Sequence, residues 1–128
     1  MTILYLHGFN SAPQSHKAQV MHRYMTERGL GARFVCPKLP HSPDDAIALV
    51  ERAIAQHANE GVTLVGSSLG GFYATHLAEK HGLRAALLLL RLRAREAAEP
   101  LVERIAFVGA GLRDGRDDQR VLRALRRL

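Results

Sequence analysis

The sequence predicts an α/β fold: a parallel sheet of about four to five strands with helices on both faces. Short apolar segments alternate with segments of helical periodicity three times before residue 84, and the connections between them are short. This order forms right-handed strand–helix–strand crossovers, which cover a parallel sheet on both sides. The apolar fraction of 47% and the charged fraction of 23% are typical of a globular chain, and 128 residues suffice for one domain.

The first crossover begins at the N-terminus. Thr2–Leu6 is a short apolar run that predicts a buried strand. Apolar positions recur at helical spacing over Ser15–Arg28, and glycines follow as stop signals, so this segment predicts a helix. Ala32–Cys36 predicts a second strand, which ends at Pro37.

The next two crossovers follow without a long linker. Ser42 is a good N-cap for a helix that begins at Pro43, because proline favours the first helical turn. Gly61–Val65 predicts a third strand, and Leu69–His81 predicts a third helix that a glycine stops. Ala85–Leu90 predicts a fourth strand that is buried on both faces.

The last third of the chain has a different composition. Residues 84–128 contain eleven arginines, no lysine and six acids, which gives +5 of the net charge of +6. We treat 1–128 as one domain, with a core at 2–90 and a divergent, Arg-rich tail at 91–128. The tail predicts a helix, a fifth strand and a second helix: Arg93–Arg104, Ile105–Val108 and Asp117–Leu128. No aromatic residue interleaves the arginines of the last segment, so a solvated helix face is favoured over nucleic-acid binding.

The sequence also predicts the compartment. Cys36 is the single cysteine and cannot form an internal disulfide, which fits a reducing environment. No apolar run approaches the ~20 residues of a membrane span, and the N-terminus lacks the pattern of a signal peptide. We therefore expect a cytoplasmic protein with no membrane partner.

The segment Gly66–Gly70 matches Gly-x-Ser-x-Gly between a predicted strand and a predicted helix. In a nucleophile elbow, the chain turns so sharply that glycine is needed at both flanks, here Gly66 and Gly70. Ser68 would stand exposed as a nucleophile, and the Leu69 amide at the helix start would face a developing oxyanion. The alternative is a glycine-rich turn without chemistry.

A second motif, His7-Gly8-Phe9-Asn10, directly follows the first strand. If the first two helices lie on opposite faces, strands one and three are neighbours and both motifs meet at one crevice. The Phe9 amide would then be the second oxyanion donor, with His7, Gly8 and Asn10 shaping the site. We favour His7 as a buried histidine that fixes the loop over His7 as the catalytic base.

Three segments resemble one family: Leu4–Pro13, Pro37–Pro40 and Leu64–Thr75. They look like the YqiA/YcfP-like esterases, small cytoplasmic bacterial members of the α/β-hydrolase superfamily, and the resemblance covers about residues 2–90. It implies hydrolysis of a small carboxylic ester or acyl thioester through an acyl-serine at Ser68. It implies no cofactor, and we see no metal-binding motif.

The resemblance stops before the triad is complete. In α/β-hydrolases an acid and then a histidine follow the serine in the chain, but no histidine follows His81 here. Asp114 is our candidate acid, with Asp117 and Asp118 as alternatives. The tail would be a truncated, degenerate or frame-shifted version of the family's C-terminal part.

Two functions therefore compete. One is an esterase or thioesterase with impaired turnover, and the other is an inactive α/β-hydrolase-like binding module. An apolar fourth strand at the sheet edge would also favour a homodimer, unless the tail covers that edge.

Overall fold

The computed structural model describes residues 1–8, 13–91 and 101–108, and it describes side chains for 1–8 and 13–87. The main elements in chain order are β1 (Thr2–Leu6), α1 (His16–Thr26), β2 (Phe34–Val35), α2 (Pro43–Gln56), β3 (Val62–Ser67), α3 (Leu69–His81), β4 (Arg84–Arg91) and β5 (Leu101–Val108). The helix that the sequence predicts over 117–128 lies outside the described residues.

The strands form one sheet in the order β2-β1-β3-β4-β5. The first four are parallel, so the predicted α/β class is confirmed. The fifth strand pairs antiparallel with β4. Strands β1 and β3 are neighbours, and their register pairs Leu6 with Gly66 at the carboxyl ends. The two loops that the sequence assigned to one crevice therefore leave the sheet side by side.

Helices cover both faces of this sheet, as predicted. On one face, α1 packs on alternate residues of the central strands, among them Ile3, Tyr5 and Val65. On the other face, α2 and α3 pack on the residues between them, such as Leu4, Leu6 and Leu64. The alternation follows from the two-residue period of a strand.

The predicted starts of the first two helices and the predicted end of the third agree with the observed caps, whereas the first helix ends at Thr26 and not at the predicted Arg28. The Ser15 and Ser42 hydroxyl oxygens accept hydrogen bonds from the backbone N–H groups of Ala18 and Asp45, at 3.4 Å in both cases. Gly82 ends α3 in the left-handed conformation, with φ +64°. A glycine enters this conformation without the steric cost that a Cβ brings.

Two predicted boundaries are wrong. The second strand was expected over Ala32–Cys36, but Gly31–Arg33 form a 3-10 turn and only Phe34–Val35 pair with β1. Leu101–Arg104, expected as the end of a helix, belong to β5. Pairing with β4 gives the backbone N–H and C=O groups of Leu101–Arg104 hydrogen-bond partners, and this gain outweighs the local preference for a helix.

The position of β5 changes the expectation of a dimer. The β4 edge that lies opposite β3 is paired with β5 over Ala85–Arg91. A homodimer through that edge of β4 would have to displace β5.

No helix among the described residues has the length and apolar character needed to cross a membrane.

Candidate active site

Ser68 lies between β3 and α3 with its backbone in a strained conformation. Its φ is +55° and its ψ is −123°, and among the described residues it is the one non-glycine residue with positive φ. Such a conformation costs on the order of 1–3 kcal/mol and persists only where surrounding structure imposes it. Ser68 is also exposed, whereas Ser67 before it is buried. The turn therefore presents this serine at the carboxyl end of the sheet.

The glycines on either side of Ser68 have no room for a side chain. A Cβ on Gly66 would lie 2.6 Å from the Gly71 Cα and closer still to the Gly70 carbonyl oxygen. A Cβ on Gly70 would lie 2.7 Å from the His7 carbonyl oxygen and would collide with the Leu6 carbonyl. Helix α3 thus begins in direct backbone contact with both β3 and β1.

Gly71 differs from these two positions. A Cβ there would find its nearest heavy atom, Leu87 Cδ2, at 3.6 Å, which is ordinary van der Waals contact. The steric requirement for glycine therefore falls on Gly66 and Gly70, the two positions that the motif names.

The first loop borders Ser68 through Gly8. A Cβ on Gly8 would lie 3.0 Å from Ser68 Cβ, 3.3 Å from the Ser67 carbonyl oxygen and 3.6 Å from Ser68 Oγ. Residues that follow strands β1 and β3 therefore meet, as the neighbouring strand positions predict. Phe9 and Asn10, the other two positions assigned to this loop, lie outside the described residues.

His7 is buried, and both of its ring nitrogens have partners. Nε2 accepts a hydrogen bond from the Leu39 backbone N–H at 3.0 Å. The ring proton therefore lies on Nδ1, and Nδ1–H donates to the Gly8 carbonyl oxygen at 3.0 Å. With a 5% exposed side chain, His7 joins the loop after β1 to the loop after β2. This contact fits a histidine that fixes the loop.

Leu69 occupies the first position of α3. Its side chain is partly buried against the cluster between α2, α3 and the sheet. Its backbone N–H is among the first N–H groups of the helix, which have no carbonyl four residues earlier in the helix to bond. These groups form the positive end of the helix dipole, beside Ser68.

A buried polar pair beneath the turn was not anticipated from the sequence. The Tyr5 hydroxyl shares a hydrogen bond with Ser67, and burial, aided by nearby Cys36, raises the pKa of Tyr5 to about 12. Burial also raises the pKa of the Cys36 thiol to about 11. The pair joins β1 to β3 immediately before Ser68. The register pairs Tyr5 with Val65, so Ser67 lies two residues further along the same face of β3; the sequence alone does not contain this register.

His81 and His57 lie near carboxylates away from the turn. His81 Nε2 lies 2.9 Å from Glu51 Oε1, and this carboxylate also pairs with Lys80 Nζ at 2.7 Å. His57 Nδ1 lies 3.8 Å from Glu60. The hydrogen bonds of His7 and His81 join them to Gly8, Leu39 and Glu51, and not to Ser68. The candidate acid Asp114 lies outside these residues.

The described side chains also define what the site can hold. Among them, no three His, Cys, Asp or Glu side chains come close enough to bind a metal ion together. What the described site offers is an exposed hydroxyl, a helix N-terminus and a tightly packed glycine loop.

One comparison with known proteins gives a family. The model of the uncharacterised protein family UPF0227 matches residues 2–107. The match includes the turn at Ser68 and extends past residue 90, where the resemblance was expected to end. The chain therefore belongs to the UPF0227 family.

Proposed function

We propose that this UPF0227 member is a serine hydrolase that cleaves carboxylic esters or acyl thioesters through an acyl-serine intermediate. The observation that carries the proposal is the backbone of Ser68, strained at φ +55° and exposed between β3 and α3. The glycine contacts around this turn would be lost with any side chain at Gly66 or Gly70. A protein that keeps a strained, exposed serine in such a turn stores that strain at a functional site.

The proposed chemistry starts with attack of Ser68 Oγ on the ester carbonyl carbon. The carbonyl oxygen takes up negative charge, the bond to the leaving oxygen or sulfur breaks, and the alcohol or thiol departs with a proton. Water then attacks the acyl-serine, releases the acid and restores the serine hydroxyl. The Leu69 amide at the start of α3 is the proposed first donor to the oxyanion.

The Phe9 amide is the proposed second donor. His7 Nδ1–H donates to the carbonyl oxygen of Gly8, the residue that precedes Phe9 in the chain. We assign Gly8 and Asn10 to the shape of the same loop. In this proposal His7 positions the oxyanion hole and takes no proton from Ser68.

As part of the proposal we keep the expectation of impaired turnover, because residues 82–128 contain no histidine that could be the triad base. Loss of the histidine base of a serine triad lowers kcat by a factor of about 10⁶. Asp114 keeps its assignment as the candidate acid. The second candidate function is a binding module that retains the crevice without turnover.

The resemblance to the YqiA/YcfP-like esterases supports the choice of ester chemistry over other acyl transfers. The proposed partner is a small ester or thioester, and no cofactor is needed for this chemistry. The lone Cys36 supports a reducing compartment, the cytoplasm. A homodimer stays a prediction.

A serine-reactive fluorophosphonate separates the two candidate functions. An activated serine hydrolase is expected to be labelled at Ser68, with the modified peptide identified by mass spectrometry. Ser68→Ala should abolish labelling, whereas Ser67→Ala, which removes the buried neighbouring hydroxyl, should keep it. Absence of labelling in the wild-type protein would favour the binding module.

Turnover is measured with p-nitrophenyl butyrate in the same three proteins. We expect slow hydrolysis, and the part of it that passes through the acyl-serine should disappear in Ser68→Ala. Hydrolysis that is equally fast in the wild-type protein and in Ser68→Ala would refute the acyl-serine mechanism. Rapid hydrolysis that depends on Ser68, at the rate of an esterase with a complete triad, would refute the expected impairment.

A further inference from the structure

Phe72 is the one large hydrophobic residue that is exposed among the described side chains, with 65% of its surface accessible. Its neighbours on α3, Gly71 and Tyr73, are buried. The only ring contact that Phe72 makes among the described residues is edge-on to Tyr73, at 6.1 Å between centroids. Most of an aromatic surface is therefore left in water, where a ligand could cover it.

Phe72 lies close to the reactive group. It follows Ser68 by four residues, which is about 6 Å along the helix axis at 1.5 Å per residue. Ser68 and Phe72 are both exposed, while the residues between them pack toward the sheet or the core. One small ligand held at Ser68 can therefore also reach the Phe72 ring.

The helix surface around these two residues carries no formal charge. Helix α3 has no Asp, Glu, Lys or Arg before Glu79, and His76 is the one titratable imidazole in that stretch. Leu6, His7 and Gly8 on the neighbouring strand and loop add no carboxylate or ammonium group. A charged substrate group would find no counter-ion on α3 here, whereas an apolar group would find the ring.

Resting on the proposed hydrolase function, we propose that Phe72 is a specificity-determining residue that binds the apolar acyl chain of the substrate. When the ester carbonyl lies at Ser68, the chain packs against the Phe72 ring and removes it from water. The substrate class is then an ester with an uncharged acyl chain of several carbons. Acetate esters are too short to gain from this contact.

The test compares Phe72→Ala with His76→Ala, a matched truncation of an exposed ring one turn further along α3. Values of kcat/KM are measured for p-nitrophenyl acetate, butyrate and hexanoate. Phe72→Ala should lower kcat/KM for hexanoate by about tenfold, the size of a lost hydrophobic contact, and leave acetate nearly unchanged. His76→Ala should keep the wild-type order of substrates.

Binding without turnover gives a second readout, which does not depend on a catalytic base. In a Ser68→Ala background, saturation-transfer NMR measures the Kd of p-nitrophenyl hexanoate with and without Phe72→Ala. We expect the Kd to rise by about tenfold on removal of the ring. An unchanged Kd, or an equal loss for acetate and hexanoate, would overturn the assignment of Phe72.

These outcomes separate the two proposals. Turnover that is equally fast in the wild-type protein and in Ser68→Ala defeats the acyl-serine mechanism, while the binding comparison still tests Phe72. If Phe72→Ala changes the mass of the species in gel filtration and leaves hexanoate selectivity intact, the ring is a protein contact and the inference fails.

Discussion

Gly70→Ala is the substitution that tests most directly how the turn at Ser68 is built. The added Cβ would lie 2.7 Å from the His7 carbonyl oxygen and would collide with the Leu6 carbonyl, both on the neighbouring segment of backbone. Neither atom is the end of a flexible side chain, so α3 must move away from β1. We expect the strained conformation of Ser68 to be lost with that movement.

The matched control is Gly71→Ala, one residue further in the first turn of the same helix. Its Cβ meets Leu87 Cδ2 at 3.6 Å, an ordinary contact. Each substitution gains up to about 1 kcal/mol from the higher helix propensity of alanine. This gain cancels in the comparison, which leaves the overpacking cost of about 1–3 kcal/mol at Gly70 alone.

Urea unfolding measures the free energy of unfolding of both variants, and fluorophosphonate labelling reports on Ser68. Gly71→Ala should be as stable as the wild-type protein or slightly more stable. Gly70→Ala should be less stable than Gly71→Ala by about 1–3 kcal/mol and should lose labelling. Equal stability and equal labelling of the two variants would refute the reasoning that backbone contact with β1 shapes the turn.

Three further predictions concern buried groups. Tyr73→Phe removes a buried hydroxyl that has no hydrogen-bond partner among the described residues, and it should raise the free energy of unfolding by about 1 kcal/mol. Tyr5→Phe loses the hydrogen bond to Ser67 and should lower the free energy of unfolding by about 1 kcal/mol. Equal effects of the two substitutions in urea unfolding would contradict this reasoning. His7→Phe keeps a ring but removes the acceptor for the Leu39 N–H. It should lower the free energy of unfolding, measured in urea, by about 1–3 kcal/mol, and it should slow fluorophosphonate labelling of Ser68. An unchanged labelling rate would contradict a positioning role for His7. With a pKa of about 11, Cys36 has about 100-fold less thiolate at pH 8 than an ordinary thiol. Iodoacetamide should therefore react with Cys36 far faster in the unfolded protein than in the folded protein. Equal reaction rates in the two states would refute the argument that burial raises this pKa.

Local sequence signals were sufficient to predict those elements whose bounds are set by residues close together in the chain. The apolar run at Thr2–Leu6 and the helix at Leu69–His81 have the predicted bounds. Ser42 is the N-cap of the second helix, as predicted, and Ser15, the predicted start of the first helix, is its N-cap. Each of these features depends on neighbours within a few residues, so a short stretch of sequence carries the information.

Pairing between distant strands caused both boundary errors. The strand at Phe34–Val35 is shorter than its apolar pattern suggests, because it forms pairs with β1 at only two residues. Leu101–Arg104 are extended because β4 supplies a partner along their length. A local pattern does not contain the position of a partner strand.

Some features of the candidate site likewise follow from the sequence alone, and others only from the tertiary structure. The sequence by itself determined that a serine follows a buried strand between glycines, that a His-Gly loop follows another, and that the charge excess belongs to residues 84–128. Only the tertiary structure decided that Gly8 lies against Ser68, that His7 binds the Leu39 amide and that Tyr5 reaches Ser67. These contacts join residues far apart in the chain, and they exist because the order β2-β1-β3 brings three carboxyl ends to one edge.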